Sequence, residues 1–258
     1  SQLPNGSVAP NWALTDINGN SHVLYEYLDS NYTVFIQFQA YWDPNGWSYL
    51  NSGALENLYI NHGPVGFPNV SVNTTDDVMV FFIEAAGHNL ACLQGLPVGC
   101  NASFTPAGNW TTVTPFPIFL TDNTVNTNAV TLDYVISYYP TVYKICPNRI
   151  IEEVSQTPNP YNFTSGCYPQ TNIPDNNFEA FLEANGMGNN ILGDDSVRTI
   201  NISSVNNLNI GGMNISNLTG IEDFIDLQYL DCSNNSLSDL DVSNNTQLSN
   251  LQCEANIL

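Results

Sequence analysis

Basic residues are nearly missing from this chain: in 258 residues Lys and Arg together number 3 against 24 Asp and Glu, a formal charge of −21. Nucleic acid and anionic membranes both require a positive protein surface, so neither is expected as a partner. Charged residues of either sign total only 10%. This is therefore no carboxylate-laced halophile surface, and neutral Asn, Ser and Thr supply the solubility instead. No apolar run approaches the ~20 residues that a membrane-spanning helix needs. The chain also lacks an initiator Met and a signal-type apolar segment. It opens at Ser1 as a processed, exported protein would, so the expected location is extracellular or at the cell surface, with the signal peptide removed.

Several chemistries are missing as well. None of the six cysteines forms a Cys-x-x-Cys pair, which disfavours both zinc binding and dithiol redox chemistry. His22, His62 and His88 are scattered without metal-ligand spacing, and neither a metal nor a cofactor is expected. Asp122, Thr124, Asn126, Asn128 and Asp133 are spaced somewhat like a calcium loop. Thr127 stands where such a loop needs Gly, and Asp133 where it needs a bidentate Glu, which argues against calcium.

What is present falls into two parts. Val34-Phe35-Ile36-Gln37-Phe38 is a β-branched and aromatic run suited to a buried strand. Ala40-Tyr41-Trp42 and Asp43-Pro44-Asn45-Gly46 follow, then a helical pattern from Trp47 to Asn61. Upstream, residues 8–20 end in Asn18-Gly19, a hairpin-turn pair. Downstream, residues 78–84 form a second buried-strand run, and Tyr139-Pro140-Thr141 lies beyond it. Together these segments resemble the thioredoxin-like fold of secreted thiol-disulfide reductases and peroxiredoxin relatives over about residues 6–155. The resemblance implies that Asp43 and Gly46 stand at the two positions of the reactive cysteines, flanked by Trp42 and Trp47, and that Pro140 is the cis-proline facing them. Such an enzyme needs a thiolate at the helix N-terminus and a second cysteine to resolve the mixed disulfide. Asp43 and Gly46 can supply neither. As plain helix-starting chemistry, Asp43 suits an N-cap and Pro44 the first helical position. Trp42, Trp47, Tyr41 and Tyr49 read either as a sugar-stacking platform or as the packing around this loop.

In the second part Leu227, Leu230, Cys232, Asn235 and Leu237 recur twenty-one residues later as Leu248, Leu251, Cys253, Asn256 and Leu258. This resembles the leucine-rich-repeat pattern with Cys in an inward slot. Residues 173–182 resemble the capping helix that opens secreted bacterial arrays of this type, and earlier, irregular coils run through Ile200, Ile202, Leu208, Ile210, Ile215, Leu218 and Ile221. The expected organisation is an α/β thioredoxin-like domain without redox cysteines over residues 1–157, a Pro- and Asn-rich linker over 158–172, and a short leucine-rich-repeat solenoid with an N-terminal capping helix over 173–258.

The cysteines suggest local staples. Cys92 pairs with Cys100 across a loop containing Gly95, Pro97 and Gly99, and Cys146 with Cys167. Cys232 and Cys253 read as a buried thiol ladder. Asn5, Asn31, Asn69, Asn73, Asn101, Asn109, Asn162, Asn201, Asn214, Asn217, Asn234 and Asn244 each head an Asn-x-Ser/Thr glycosylation triplet, and Asp195-Ser196-Val197 resembles an acidic O-glycosylation triplet of some secreted bacterial proteins.

The functional expectation is an extracellular structural or adhesive surface protein, not an enzyme, glycosylated and assembling head-to-tail with other copies of itself into a filament. The contact would involve Leu248, Leu251, Cys253 and Leu258, since a solenoid buries its core by stacking and an uncovered last coil needs a neighbour; the alternatives are that the natural chain continues into more repeats past Leu258 or carries a disordered tail there. The alternative is a secreted thioredoxin-family redox enzyme or a carbohydrate-binding module using the cleft beside Pro140.

Overall fold

Asn18-Gly19 turns the chain between strands β1 (Ala13–Thr15) and β2 (Ser21–Val23), which pair antiparallel. Gly19 takes a φ of +87°, a conformation that costs a residue with a Cβ, and Asp16 accepts from the backbone N–H groups of Asn18 and Asn20, both at 2.9 Å. Helix α1 (Leu24–Asp29) follows and leads into β3 (Thr33–Gln39). The computed structural model describes residues 2–96, 100–101, 103–189 and 191–258.

Strand β3 is buried along its whole length, which is why its run is continuously apolar rather than alternating. Asp43 then caps helix α2 (Pro44–Asn51), with Pro44 at its start. The helix expected over residues 47–61 is in fact two. Gly53 takes a φ of +77° and breaks the chain between α2 and α3 (Ala54–His62), a geometry that a non-glycine residue adopts only with strain. Strand β4 (Val78–Glu84) runs parallel to β3 and is equally buried. After helix α4 (Leu90–Leu93), β5 (Ile118–Leu120) adds parallel to β4, and helix α5 (Ala129–Asp133) precedes β6 (Thr141–Ile145) and β7 (Ile151–Glu153), which are antiparallel to their neighbours. The sheet order is β5-β4-β3-β6-β7, a mixed sheet in an α/β unit. Phe35, Phe38, Phe81, Phe82, Phe119 and Trp110 fill its core with no exposed surface.

This first unit covers residues 1–167, and the second covers 168–258. The segment expected as a linker, 158–172, is divided between them. Tyr161 is buried, stacks on His62 at 3.6 Å and donates its hydroxyl to Asp77 at 2.9 Å. Cys167 is bonded to Cys146, and Cys92 to Cys100. Pro97 and Gly99 of the latter loop lie outside the described residues. The remaining residues, 170–172, are a strand of the second unit.

That strand, β8 (Gln170–Asn172), precedes helix α6 (Asn176–Ala184) and pairs antiparallel with β9 (Ser196–Arg198). Asp175 caps α6 by accepting from the N–H groups of Asn177 and Phe178. Its other oxygen accepts from Ser216 N and Oγ, both at 2.8 Å, tying the helix to a later coil. Helix α7 (Thr199–Ser203) leaves Ile200 59% exposed, so this expected inward residue faces solvent while Ile202 is buried. Strands β10 (Asn207–Asn209), β11 (Tyr229–Asp231) and β12 (Asn250–Gln252) form a parallel sheet in which Leu208, Leu230 and Leu251 stand side by side. Asn235 and Asn256 bridge the coils. Asn235 donates to Ile210 O (2.8 Å) and Cys232 O (3.0 Å), while its own oxygen accepts from Ile215 N. Asn256 repeats the pattern with Cys232 O, Cys253 O and Leu237 N. Each amide thus satisfies backbone groups that the turns leave without partners.

Candidate functional site

The loop after β3 is where the sequence placed a lost redox motif, and its local chemistry is that of a helix start. Asp43 is 8% exposed and accepts from Asn45 N at 3.2 Å and Gly46 N at 2.9 Å. The same carboxylate receives Gln39 Nε2 at 3.0 Å, and that nitrogen also reaches Ala40 O at 2.9 Å. Gln37 Nε2 in turn donates to Gln39 Oε1 at 3.2 Å. Gln37 and Gln39 are both fully buried, two residues apart on one face of β3.

Gln39 also decides what position 46 can hold. A Cβ built on Gly46 would lie 1.8 Å from Gln39 Oε1, so any larger residue there displaces a side chain already anchored to Asp43. The two positions where the thioredoxin resemblance would put cysteines are therefore joined through one buried glutamine. Sequence reading missed Gln39; the signal was the alternation of Gln37 and Gln39 within an otherwise apolar strand.

The surrounding shell closes the loop. The Tyr139–Pro140 peptide is cis, as the resemblance implied. Tyr41 is fully buried, and Trp42 stacks on Phe104 with ring centroids 4.2 Å apart. Trp47 packs edge-on against Trp110 at 5.0 Å, and Tyr49 is 5% exposed. These rings pack around the loop, with Tyr41 and Tyr49 buried and Trp42 and Trp47 half-buried.

A second polar group beside it also escaped sequence reading. Glu84 ends β4 as the register partner of Gln39 and is fully buried. Its Oε2 accepts from His88 N at 2.9 Å, and its Oε1 lies 3.8 Å from His88 Nδ1. Bonding to Glu84 raises the His88 pKa, against the opposing effect of burial.

The remaining expected residues are dispersed. Asn126 is held by Thr15 N at 2.8 Å and by the carbonyls of Thr15 and Leu120, which ties it to β1, while Asp122 accepts from Thr124 within its own turn. Among the described residues no group of three or more His, Cys, Asp and Glu is placed to hold a metal ion. His22 lies buried between Asp16 and Tyr27. The glycosylation-triplet asparagines are exposed except Asn109 and Asn201, which are half-buried; Asn109 caps a turn through Thr111 N, and Asn201 Nδ2 donates to Gly188 O. Ser196 of the O-glycosylation-like triplet opens β9 and its Oγ accepts from Asn189. Leu251 and Leu258 are 40% and 58% exposed, whereas Leu248 and Cys253 are half-buried against the second core. Burial pushes the Cys232 thiol up to about 11, keeping it a neutral thiol at ordinary pH.

No protein-family model matches the chain, and no curated protein matches it. Solved structures similar to it include the thioredoxin domain of a thiol-disulfide oxidoreductase from Bacteroides vulgatus, at 16% identity and a TM-score of 0.39, covering 64% of this chain and 97% of that one. A thiol-disulfide oxidoreductase from Bacteroides fragilis is 14% identical with a TM-score of 0.41, covering 62% and 98%. The functional domain of InlJ from Listeria monocytogenes, described as including a cysteine ladder, is 27% identical with a TM-score of 0.30 over 34% of this chain and 20% of that one.

Proposed function

We propose that this protein is an extracellular structural or adhesive surface protein whose thioredoxin-like unit is redox-silent and whose second unit is a short leucine-rich-repeat array. The observation that carries the redox-silent part of this reading is the Gln39 bridge: Asp43 is engaged as a helix cap, and a side chain at Gly46 would have to displace Gln39. Export is supported by the two disulfides, Cys92–Cys100 and Cys146–Cys167. No helix among the described residues is long and apolar enough to cross a membrane.

The repeat reading is supported by three parallel strands in matched register and by the repeated asparagine bridges. The assembly contact is the β12 side of the sheet with the exposed Leu251 and Leu258, covered by a different surface of a second copy. Covering what is still exposed of these two leucines supplies about 1.5–3 kcal/mol in all, and a contact between unlike surfaces propagates into a filament where its rotation does not close a ring. Glycans on the exposed asparagines complete the surface.

An insulin-reduction assay tests the redox part: no turnover above a buffer blank is expected, and measurable turnover overturns it. Electron microscopy and light scattering across a concentration series test the assembly. Polymers that grow with concentration are expected, and monodisperse particles at the highest concentration remove the filament.

A further inference from the structure

A cavity of about 770 Å³ lies against the β1–β2 hairpin, away from Asp43, Trp42 and Pro140, none of which line it. Its volume falls in the range of small-molecule sites, roughly 300–1,000 Å³. Asp16, His22 and Tyr27 stand in its wall. Tyr27 Oη is 2.7 Å from His22 Nδ1, and His22 Nε2 is 3.3 Å from Asp16 Oδ2. Burial, with the charges of Glu26 and Asp16, pushes the Tyr27 pKa up to about 12, so its hydroxyl keeps its proton and donates to Nδ1. His22 then donates from Nε2 to Asp16, which also accepts from Asn18 N, Asn20 N and Asn20 Nδ2. The chain of bonds is closed. It fixes the hairpin and leaves neither a general base nor an unsatisfied charge.

The rest of the wall is neutral. Asn18, Ser21 and Gln94 are exposed, and their side chains make no bond to protein among the described residues; Asn20 spends only its Nδ2, leaving its oxygen free. Phe67, half-buried, supplies an apolar face. The chain's three basic residues, Lys144, Arg149 and Arg198, all lie elsewhere, so an anionic ligand would find no counter-charge. A cation would find only Asp16, already saturated. Free amides and hydroxyls beside an aromatic face, with the one carboxylate already bonded through both oxygens, match a ligand of many hydroxyl groups and no charge.

We propose that this cleft binds a short neutral oligosaccharide, with Asn18, Asn20, Ser21 and Gln94 hydrogen-bonding its hydroxyls and Phe67 packing on a sugar face. The site goes beyond the redox-silent reading and does not rest on it: insulin turnover would overturn that reading and leave the cleft intact, while a failure to bind sugar would leave the Gln39 bridge untouched.

The test is isothermal titration of the disulfide-intact protein with maltotriose, cellotriose, mannotriose and chitotriose, and with trigalacturonate as an anionic control. At least one neutral trisaccharide is expected to bind. Asn18→Ala and Gln94→Ala, both at exposed positions with no fold-supporting side-chain bond, are expected to weaken it about tenfold each, the loss of one net hydrogen bond. Asn244→Ala in the second unit is expected to bind like the parent. Absence of binding by all four neutral sugars, undiminished binding by both cleft variants, or equal binding of trigalacturonate overturns the proposal.

Discussion

The two units of this molecule hold themselves together by different means. The first rests on two seven-residue strands sheltered on both faces and on rings packed edge to face, such as Trp12 against Phe81 at 5.2 Å and Phe38 against Tyr143 at 6.1 Å. The second has strands of three residues and relies on single leucines joined by asparagine amides that reach from one coil to the next. In the first, stability is spread over a large apolar area. In the second, the asparagine amides tie each short strand segment to the next.

This contrast is open to direct measurement, because all four tryptophans, Trp12, Trp42, Trp47 and Trp110, belong to the first unit. Tryptophan fluorescence therefore follows that unit alone, while far-ultraviolet circular dichroism follows both. The largest effect is expected from Phe38→Ala, which empties a fully buried site and costs about 3–5 kcal/mol. In urea it lowers the fluorescence midpoint. Leu230→Ala, about 2–5 kcal/mol, is expected to move only the part of the dichroism transition that fluorescence does not see. Coincident shifts in both signals for either variant would merge the two units into one cooperative body.

Asn235→Ala is next. It leaves Ile215 N and Ile210 O without their amide partner, at about 1–3 kcal/mol, and lowers the same dichroism transition. A smaller effect than that of the exposed Asn244→Ala would break the view that amides carry the second unit.

In the first unit, Gly46→Ala is expected to cost about 1–3 kcal/mol by forcing Gln39 aside. In the Gln39→Ala background the same substitution should be nearly neutral, because the obstructing side chain is gone. Equal costs in both backgrounds would show that the two positions are uncoupled.

The smallest effect is electrostatic. The folded pKa of His88 lies above its ordinary 6.5, so the charged pair with Glu84 contributes fully below about pH 6.5, and its contribution is lost as pH rises through the raised value. The melting temperature of the first unit is expected to fall more between pH 6 and 9 in the parent than in His88→Gln. Parallel pH profiles would remove His88 from the account.

Much of this was legible in the chain. Residues 34–38 and 78–84 read as buried strands because both faces are covered, and Asn18-Gly19, Asp43 and Pro44 act through local backbone preferences that residue type alone carries. The inward leucines announced themselves by their period. What stayed hidden depends on partners distant in sequence. Gln39 acquires its meaning only when α2 folds back over β3, Glu84 only as its register neighbour, and the cleft only when the hairpin meets Phe67 and Gln94. Gly53 lay within an apparently helical pattern, and its left-handed geometry is set by the packing of α2 and α3 rather than by its neighbours.

The scarcity of basic residues has a consequence for how the native protein meets a trypsin-like protease. Lys144 is 4% exposed within β6 and Arg198 is 7% exposed at the end of β9, so both are sheltered from a protease cleft. Arg149 remains, half-exposed in the turn between β6 and β7. Scission after it falls between Cys146 and Cys167, which are bonded to each other. The nicked molecule stays in one covalent piece, and its two fragments part only when a reductant opens that bridge.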